Sequence, residues 1–274
     1  MIQKNQSISR SCLAQGIAQF TGSENKVETG IQGLTLHRWE TPTEPTSYML
    51  APAICLIGQG RKRLFLGEEA YVYDANSFLI TSVDLPVVSQ IIEASPEEPY
   101  LGLTLELDLK LIARMMLECR QPSPKTVHGR TGIAVSEVSA HILGSFERLL
   151  DLLEYPADIP ILAPLIKQEI FYRLLMSEQE TRLRQIISTE SNSYRIAQAI
   201  DWLKDNFHKP LRIDDLASKA GMSNSAFHNH FRNMTAISPL QFQKKMRLNE
   251  ARRLMLAKHL DASEAAFEVG YESP

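Results

Sequence analysis

The sequence predicts an α+β chain: an antiparallel β-barrel with flanking helices, followed by an all-α domain of two helix-turn-helix units. Three features predict it. Apolar residues alternate between about 33 and 109, they recur at three- and four-residue steps between about 135 and 176, and the pattern of 213–222 returns 49 residues later. A length of 274 residues suits two domains, and 44% apolar content supplies a core for each.

Taken from the N-terminus, the first twenty residues are polar throughout and lack the apolar core of a secretion signal. No later segment reads as a membrane span. Cys12, Cys55 and Cys119 are scattered with no CxxC pair, which fits a reducing, cytoplasmic setting better than a disulfide framework. Period-two patterning then marks strands at Leu34 and Leu36, Leu64 and Leu66, Tyr71 and Tyr73, and Leu101 to Leu107. Turn signals separate them at Gly58 to Gly60, Gly67, Asp74 to Asn76, and Asp84 to Pro86, spacings typical of a sandwich or barrel. A small barrel can hold one ligand in its mouth, so this half reads as a sensor. The strands offer only His37 as an imidazole ligand, so neither a metal centre nor a cofactor is expected. Cys55 in AICLIG reads either as a redox- or electrophile-sensing thiol or as a small core residue. Arg61, Lys62 and Arg63 read either as contacts to an anionic effector or as a hairpin edge guarded by charge.

The middle segment is helical. Val138, Ile142, Phe146, Leu149 and Leu153 follow one helical stripe, and after YPADIP a second carries Leu165, Ile166, Ile170, Leu174 and Leu175. Such stripes either cover the barrel or pair two chains. Residues 177–193 turn polar and end in Ser and Asn, the composition of a linker between parts that move relative to one another. The boundaries expected are 1–180 for the regulatory domain, 181–193 for the linker and 194–274 for the helix-turn-helix domain.

In that last domain, Ile213, Leu216, Ala217 and Ala220 give a short helix an apolar face, and Gly221 supplies the left-handed residue that ends it. Ser223 is a good N-cap for a second helix whose buried stripe includes Ala226, Phe227, Phe231 and Met234, with His230 more a packing residue than a reader. Asn224, Ser225, His228, Asn229 and Arg232 form the outward polar face, in the half that enters a major groove in this motif. Sliding by 49 residues lays Ala266 on Ala217, Val269 on Ala220, Gly270 on Gly221 and Tyr271 on Met222, with Ser273 one step past Ser223. Between the copies a long helix opens with Ser238 and Pro239 at Ncap and N1, and Leu248, Ala251, Leu254 and Met255 recur along it.

From about Asn192 onward the chain resembles the DNA-binding domain of the AraC/XylS family of bacterial transcription regulators. The resemblance rests on Leu216, Ala217, Gly221, Met222, Ser223, Phe227, Phe231, Ser238, Pro239, Arg247, Ala251, Arg252, Leu254, Gly270 and Tyr271. Ala236 departs from it, standing where many members have glycine. The segments GQGRKRLFL and LGEEAYVYDANSFLITSVDLP resemble the cupin-like N-terminal domain found on one branch of that family. The resemblance implies that Ser225, His228 and Asn229 face bases while Asn224 and Arg232 lie nearer the backbone, and Ser223 is counted with them at the DNA interface. Asn can pair bidentately with adenine, and the commonest guanine reader, Arg, is missing from those three positions. Lys244, Lys245, Arg247 and Arg252 on the long helix are candidates for phosphate contact, with solvated surface charge as the alternative. The sequence ends at Pro274, where the second reading helix is expected to begin, so the second motif is expected to be incomplete.

Charge is distributed to match. From Glu190 onward 12 basic residues stand against 10 acidic ones, whereas the rest carries 17 against 22, so only the C-terminal part is drawn to phosphate. The expectation is a cytoplasmic, effector-responsive regulator, an activator or repressor without catalytic residues, whose partners are double-stranded operator DNA, RNA polymerase, a small-molecule effector and a second copy in a homodimer. A cupin-type enzyme with an accessory helical domain, and a module whose helical tail docks on a protein, are the alternatives.

Overall fold

Alternation becomes sheet as expected, and the faces it creates explain the rest of the architecture. The computed structural model describes residues 2–118, 131–188 and 191–272. After helix α1 (Ile2–Thr21) come β1 (Lys26–Glu28), β2 (Leu34–Trp39), β3 (Thr46–Leu50), β4 (Ala53–Gln59), β5 (Arg61–Leu66), β6 (Glu69–Asp74), β7 (Ser77–Thr81), β8 (Leu85–Glu93) and β9 (Tyr100–Glu106). Helix α2 (Leu109–Glu118) and strand β10 (Ile133–Glu137) complete the sheet region. A six-stranded antiparallel sheet runs β1-β2-β9-β4-β7-β10, and a four-stranded one runs β3-β8-β5-β6. The barrel is therefore two hydrogen-bonded sheets that share an interior.

Strand β4 is buried on both faces because its two faces serve different cores. Ile54 and Leu56 join Leu34, Leu36, Leu101, Leu103 and Leu105 in a cluster with the helices, whereas Cys55 and Ile57 join Leu64, Leu66 and Leu85 in the interior between the sheets. The evenly spaced leucines of β2 and β9 thus line the outer, helix-covered face. Their alternate neighbours Thr35, His37, Trp39 and Thr104 line a cavity.

Helices α3 (Ala140–Asp151), capped by Ser139, and α4 (Ile159–Leu175) cover the six-stranded sheet together with α1. Val138, Ile142, Phe146, Leu149, Ile170, Leu174 and Leu175 are all buried there, so covering is the role of most of the predicted stripe. On α4, Leu165 departs from that stripe and stands exposed beside Ile161. The structure differs from the expectation in four further places. Helix α1 buries Leu13 and Ile17 although its sequence reads as polar; β10 takes the start of the stretch expected as helix, and α2 begins where the strands were expected to end; and Leu85 and Pro86, within the turn expected at 84–86, open strand β8, where Pro86 pairs with Met49.

The fourth concerns the linker. Helix α5 (Glu180–Ile187) occupies most of it and buries Leu183 and Ile186, because Leu183, Ile186 and Ile187 place an apolar stripe within a polar composition. Beyond it α6 (Asn192–Asn206), α7 (Ile213–Lys219), α8 (Asn224–Thr235), α9 (Pro239–Lys258) and α10 (Ala262–Glu268) form the helical domain. That domain is packed on the barrel. Ile196, Ile200, Phe231, Met234 and Phe242 share one apolar cluster with Leu64, Val83, Leu85 and Val87. Gly132 N–H donates to the Met234 carbonyl at 2.9 Å, and Lys204 Nζ pairs with Asp84 at 2.8 Å. The freely moving arrangement expected from the linker is replaced by a shared core. Cys119, Ser273 and Pro274 lie outside the described residues.

Candidate nucleic-acid interface and barrel cavity

The first helix and turn of the two helix-turn-helix units match in their backbone hydrogen bonds. Helices α7 and α10 have the same length and stand 49 residues apart. Gly221 N–H donates to Ser218 and Gly270 N–H to Phe267; Met222 N–H donates to Ala217 and Tyr271 N–H to Ala266, each at 2.9 to 3.0 Å. Both glycines have positive φ, +62° and +91°. Leu216 and Ala265 are the matched residues that face the core, at 1% and 0% exposed. Only the caps differ: α10 opens with a full capping box between Asp261 and Glu264, while Arg212 gives α7 no side-chain cap.

Helix α8 is fixed from behind. Ser223 Oγ accepts from Ala226 N–H as its N-cap, and Phe227, Phe231 and Met234 are buried, with the Phe231 ring edge-on to Phe242 at 5.3 Å. At its far end Ala236 takes the left-handed conformation, φ +62°, at the position where the family's glycine was expected. Gly67 faces it across the domain boundary; a Cβ there would lie 2.9 Å from that of Ala236.

Ser223, Asn224, Ser225, His228, Asn229 and Arg232 are all exposed on α8. Asn224 is tied to Asp214 of α7, and Ser225 lies 3.3 Å from Ser223 Oγ. Among the described residues His228, Asn229 and Arg232 have no hydrogen-bond or ion-pair partner. His230 is half-buried and hydrogen-bonded to Asn192, a packing residue as expected.

The four cations of α9 do not act alike. Lys244 is exposed and Lys245 half-buried. Arg247, expected at phosphate, instead donates to the carbonyls of Phe207 at 2.7 Å and Lys209 at 3.0 Å, and stacks on Tyr271 at 5.3 Å. Gln243 donates to the same two carbonyls. The reason is electrostatic: the end of α6 and the loop after it present carbonyls that need donors, and a guanidinium supplies several at once. Arg252, also expected at phosphate, lines the cavity of the barrel. Leu248 and Met255, expected in the buried stripe of α9, are exposed; Phe242, Met246 and Leu254 fill that role, because the helix meets the barrel at one end and α10 at the other.

That cavity, about 750 Å³, opens between β2, β3, β5 and β9. On β5, Lys62 shares the inward face with Leu64 and Leu66, whereas Arg61 faces outward to Asp74 and Glu93. Of this basic run, Lys62 is the inward cation, whereas the edge reading fails for Arg61, because β5 lies inside its sheet between β8 and β6. Lys62 Nζ donates to Tyr48 at 3.5 Å and lies 5.9 Å from its ring centre, and it forms no ion pair among the described residues. Burial works against its charge, but Tyr48, Tyr100 and Cys55 outweigh burial and hold the ammonium above the ordinary lysine value. His37, hydrogen-bonded to Thr104 at 3.3 Å, is pushed down to about 3 by burial and by the nearby Lys62 and Lys26, so it is neutral at physiological pH. Cys55 is buried 3.7 Å from Thr104 Oγ1, and burial pushes its thiol up, which favours the core reading over the reactive one. Among the described residues no group of three or more His, Cys, Asp or Glu is placed to hold a metal ion, and no helix is long and apolar enough to cross a membrane.

Comparison with known proteins agrees with this architecture. The chain is 20% identical over 205 residues to the transcriptional activator RhaS of Shigella dysenteriae serotype 1 and of Escherichia coli strain HS, covering 75% of this chain and 68% of each relative. Among solved structures it resembles apo ToxT of Vibrio cholerae, with TM-score 0.58 and 10% identity over 90% of this chain and 91% of that one. It also resembles ToxT bound to an unsaturated fatty acid, with TM-score 0.55 and 12% identity over 88% and 86%. At such identity the likeness bears on fold alone. Residues 216–274 match the family model for a helix-turn-helix domain. Residues 30–182, more than half of the chain, match that for the AraC-type transcriptional regulator N-terminus, and the chain belongs to the AraC/XylS family of DNA-binding transcription regulators.

Proposed function

We propose that the chain is an effector-responsive regulator that reads operator DNA with α8 in the major groove and takes a small molecule in the barrel cavity. The observation that carries the DNA half is the polar face of α8: His228, Asn229 and Arg232 stand exposed, without a hydrogen-bond or ion-pair partner among the described residues, on a helix whose opposite face is locked by Phe227, Phe231 and Met234. Ser225, His228 and Asn229 are assigned to base edges, with Ser223, Asn224, Arg232, Lys244 and Lys245 on the phosphates. The cavity, with its inward cation, supports the effector half, as does the small-molecule complex of the similarly folded ToxT. Residues 1–180 serve as the regulatory part and 194–274 as the reader. A cytoplasmic homodimer acting on RNA polymerase completes the reading; the exposed Ile161, Leu162, Leu165 and Tyr172 on α4 supply an apolar edge for self-association.

Asn229→Ala and Lys245→Ala separate the DNA roles in gel-shift titrations against operator and unrelated duplexes. Asn229→Ala is expected to weaken operator binding by ~1–3 kcal/mol and leave unrelated duplexes unaffected, whereas Lys245→Ala weakens both alike and lowers the salt slope by about one. Identical behaviour of the two variants rejects the division of roles. Unchanged operator binding in both removes α8 as the reader.

A further inference from the structure

We infer that Asp214 of α7 is a base reader: its carboxylate, held by Asn224, accepts a hydrogen bond from the exocyclic amino group of a cytosine in the major groove. The inference rests on the reading of α8 as the helix in the groove and adds a specificity residue on the preceding helix, together with the base it selects.

The position of Asp214 carries it first. Asp214 stands exposed in the first turn of α7, and it accepts a hydrogen bond from the side-chain amide of Asn224, the first residue of α8. It has no ion-pair partner among the described residues. In this motif the N-terminal residues of the reading helix meet base edges while the preceding helix crosses the backbone. The contact with Asn224 therefore brings an acid from the crossing helix to the end of α8 that enters the groove. A carboxylate without a cation is out of place there, since phosphates repel it across about 10 Å at moderate salt, so it must meet a donor. Helix polarity does not account for it, because Asp215, exposed in the same turn, already supplies negative charge to the start of α7.

The chemistry of the pair names the base. A carboxylate only accepts, so the Asn224 amide turns its NH2 to Asp214. One N–H is used in that bond, the other remains for a phosphate, and the second oxygen of Asp214 is left as an acceptor. In the major groove guanine offers O6 and N7 and thymine offers O4, all acceptors that a carboxylate repels. Adenine sets N7 beside its amino group, whereas cytosine presents N4–H2 with no acceptor beside it on the same base. An acceptor that carries no donor of its own therefore selects cytosine. Ser225, His228 and Asn229 include no Arg to claim a guanine, so Asp214 supplies the reading of a G·C pair that those three lack.

The test lets the full chain and its variants select from a pool of randomised duplexes at low salt, with the bound fraction sequenced. The parent is expected to prefer cytosine at one position by about tenfold over the other bases. Asp214→Asn is expected to switch that position to adenine, because an amide pairs with N6 and N7 together, and to leave the rest of the selected sequence unchanged. Asp214→Glu is expected to keep cytosine, and Asn224→Ala to weaken the preference at the same position. Asn229→Ala is expected to erase a different position. Identical selections by the parent and Asp214→Asn overturn the inference, as does a loss of affinity in that variant spread evenly over all positions, the mark of an acid that only supports the fold. Both results leave α8 as the reader as long as Asn229→Ala alters its own position. A parent that selects no sequence overturns α8 as the reader and the role of Asp214 with it, so the two readings fail separately.

Discussion

At the scale of single residues, two glycines in equivalent turns are under different constraints. A Cβ at Gly221 would meet nothing nearer than an Arg195 nitrogen at 3.8 Å, so alanine there faces only the left-handed backbone, a cost of ~1–2 kcal/mol. A Cβ at Gly270 would lie 1.9 Å from the His208 carbonyl oxygen, a backbone atom that no rotamer change can move aside. Gly270→Ala is therefore expected to destabilise the helical domain by more than ~3 kcal/mol, well beyond Gly221→Ala, in urea melts followed by circular dichroism; equal losses would contradict the close approach. His37 gives a prediction in pH. Its folded pKa of about 3 lies below the ordinary 6.5, so between those values the unfolded chain binds a proton that the folded chain does not. Stability from this group is complete above pH 6.5 and falls on acidification towards 3, with a slope approaching ~1.4 kcal/mol per pH unit. His37→Gln should flatten the stability profile over pH 4 to 6 relative to the parent, and parallel profiles would refute the buried neutral imidazole.

At the scale of elements, what was legible in the sequence followed local rules. The turns at Gly221 and Gly270, the Ser223 and Ser238 caps and the 49-residue repeat were readable because each depends on a few adjacent residues. Alternation gave the strands but not the inward side: the leucines of β2 and β9 turned out to face helices, and the interior face carried Thr35, His37 and Thr104, a pattern that reads as solvent-facing until a second layer is known. Helix α1 is hard to read from sequence because Leu13 and Ile17, buried in the fold, stand a single four-residue step apart in a polar run. Long-range partners were beyond the sequence altogether. Arg247 and Arg252 look alike as cations on one helix, yet the first meets carbonyls 40 and 38 residues away and the second a cavity in the other domain. The difference predicts their phenotypes. Arg247→Ala should cost ~1–3 kcal/mol of stability, since carbonyls at the end of α6 lose donors, whereas Lys244→Ala should stay within ~0.5 kcal/mol. Indistinguishable melting of the two variants would return Arg247 to the surface-charge class.

At the scale of the whole molecule, the question is whether barrel and reader are one folding unit or two. A polar linker argues for two, but one apolar cluster runs from Leu64 and Val87 in the strands to Phe231 and Met246 in the helices, joined by the Gly132–Met234 hydrogen bond and the Lys204–Asp84 ion pair. A shared core couples the stability of its halves, because neither half keeps its buried surface once the other unfolds. The chain has two tryptophans, and they divide between the parts: Trp39 on β2 and Trp202 on α6. Single-tryptophan variants made by Trp39→Phe and Trp202→Phe therefore report each part separately. In urea their transitions are expected to coincide in midpoint after correction for each variant's own stability by circular dichroism. Gly132→Val should then separate them, since a Cβ at Gly132 would press on Val83 at 2.9 Å and on the Met234 carbonyl at 3.3 Å, at the seam. Transitions already separate in the parent would mean that the reader folds independently of the barrel, and an effector could then act on α8 only by tethering or dimerisation, not through the seam.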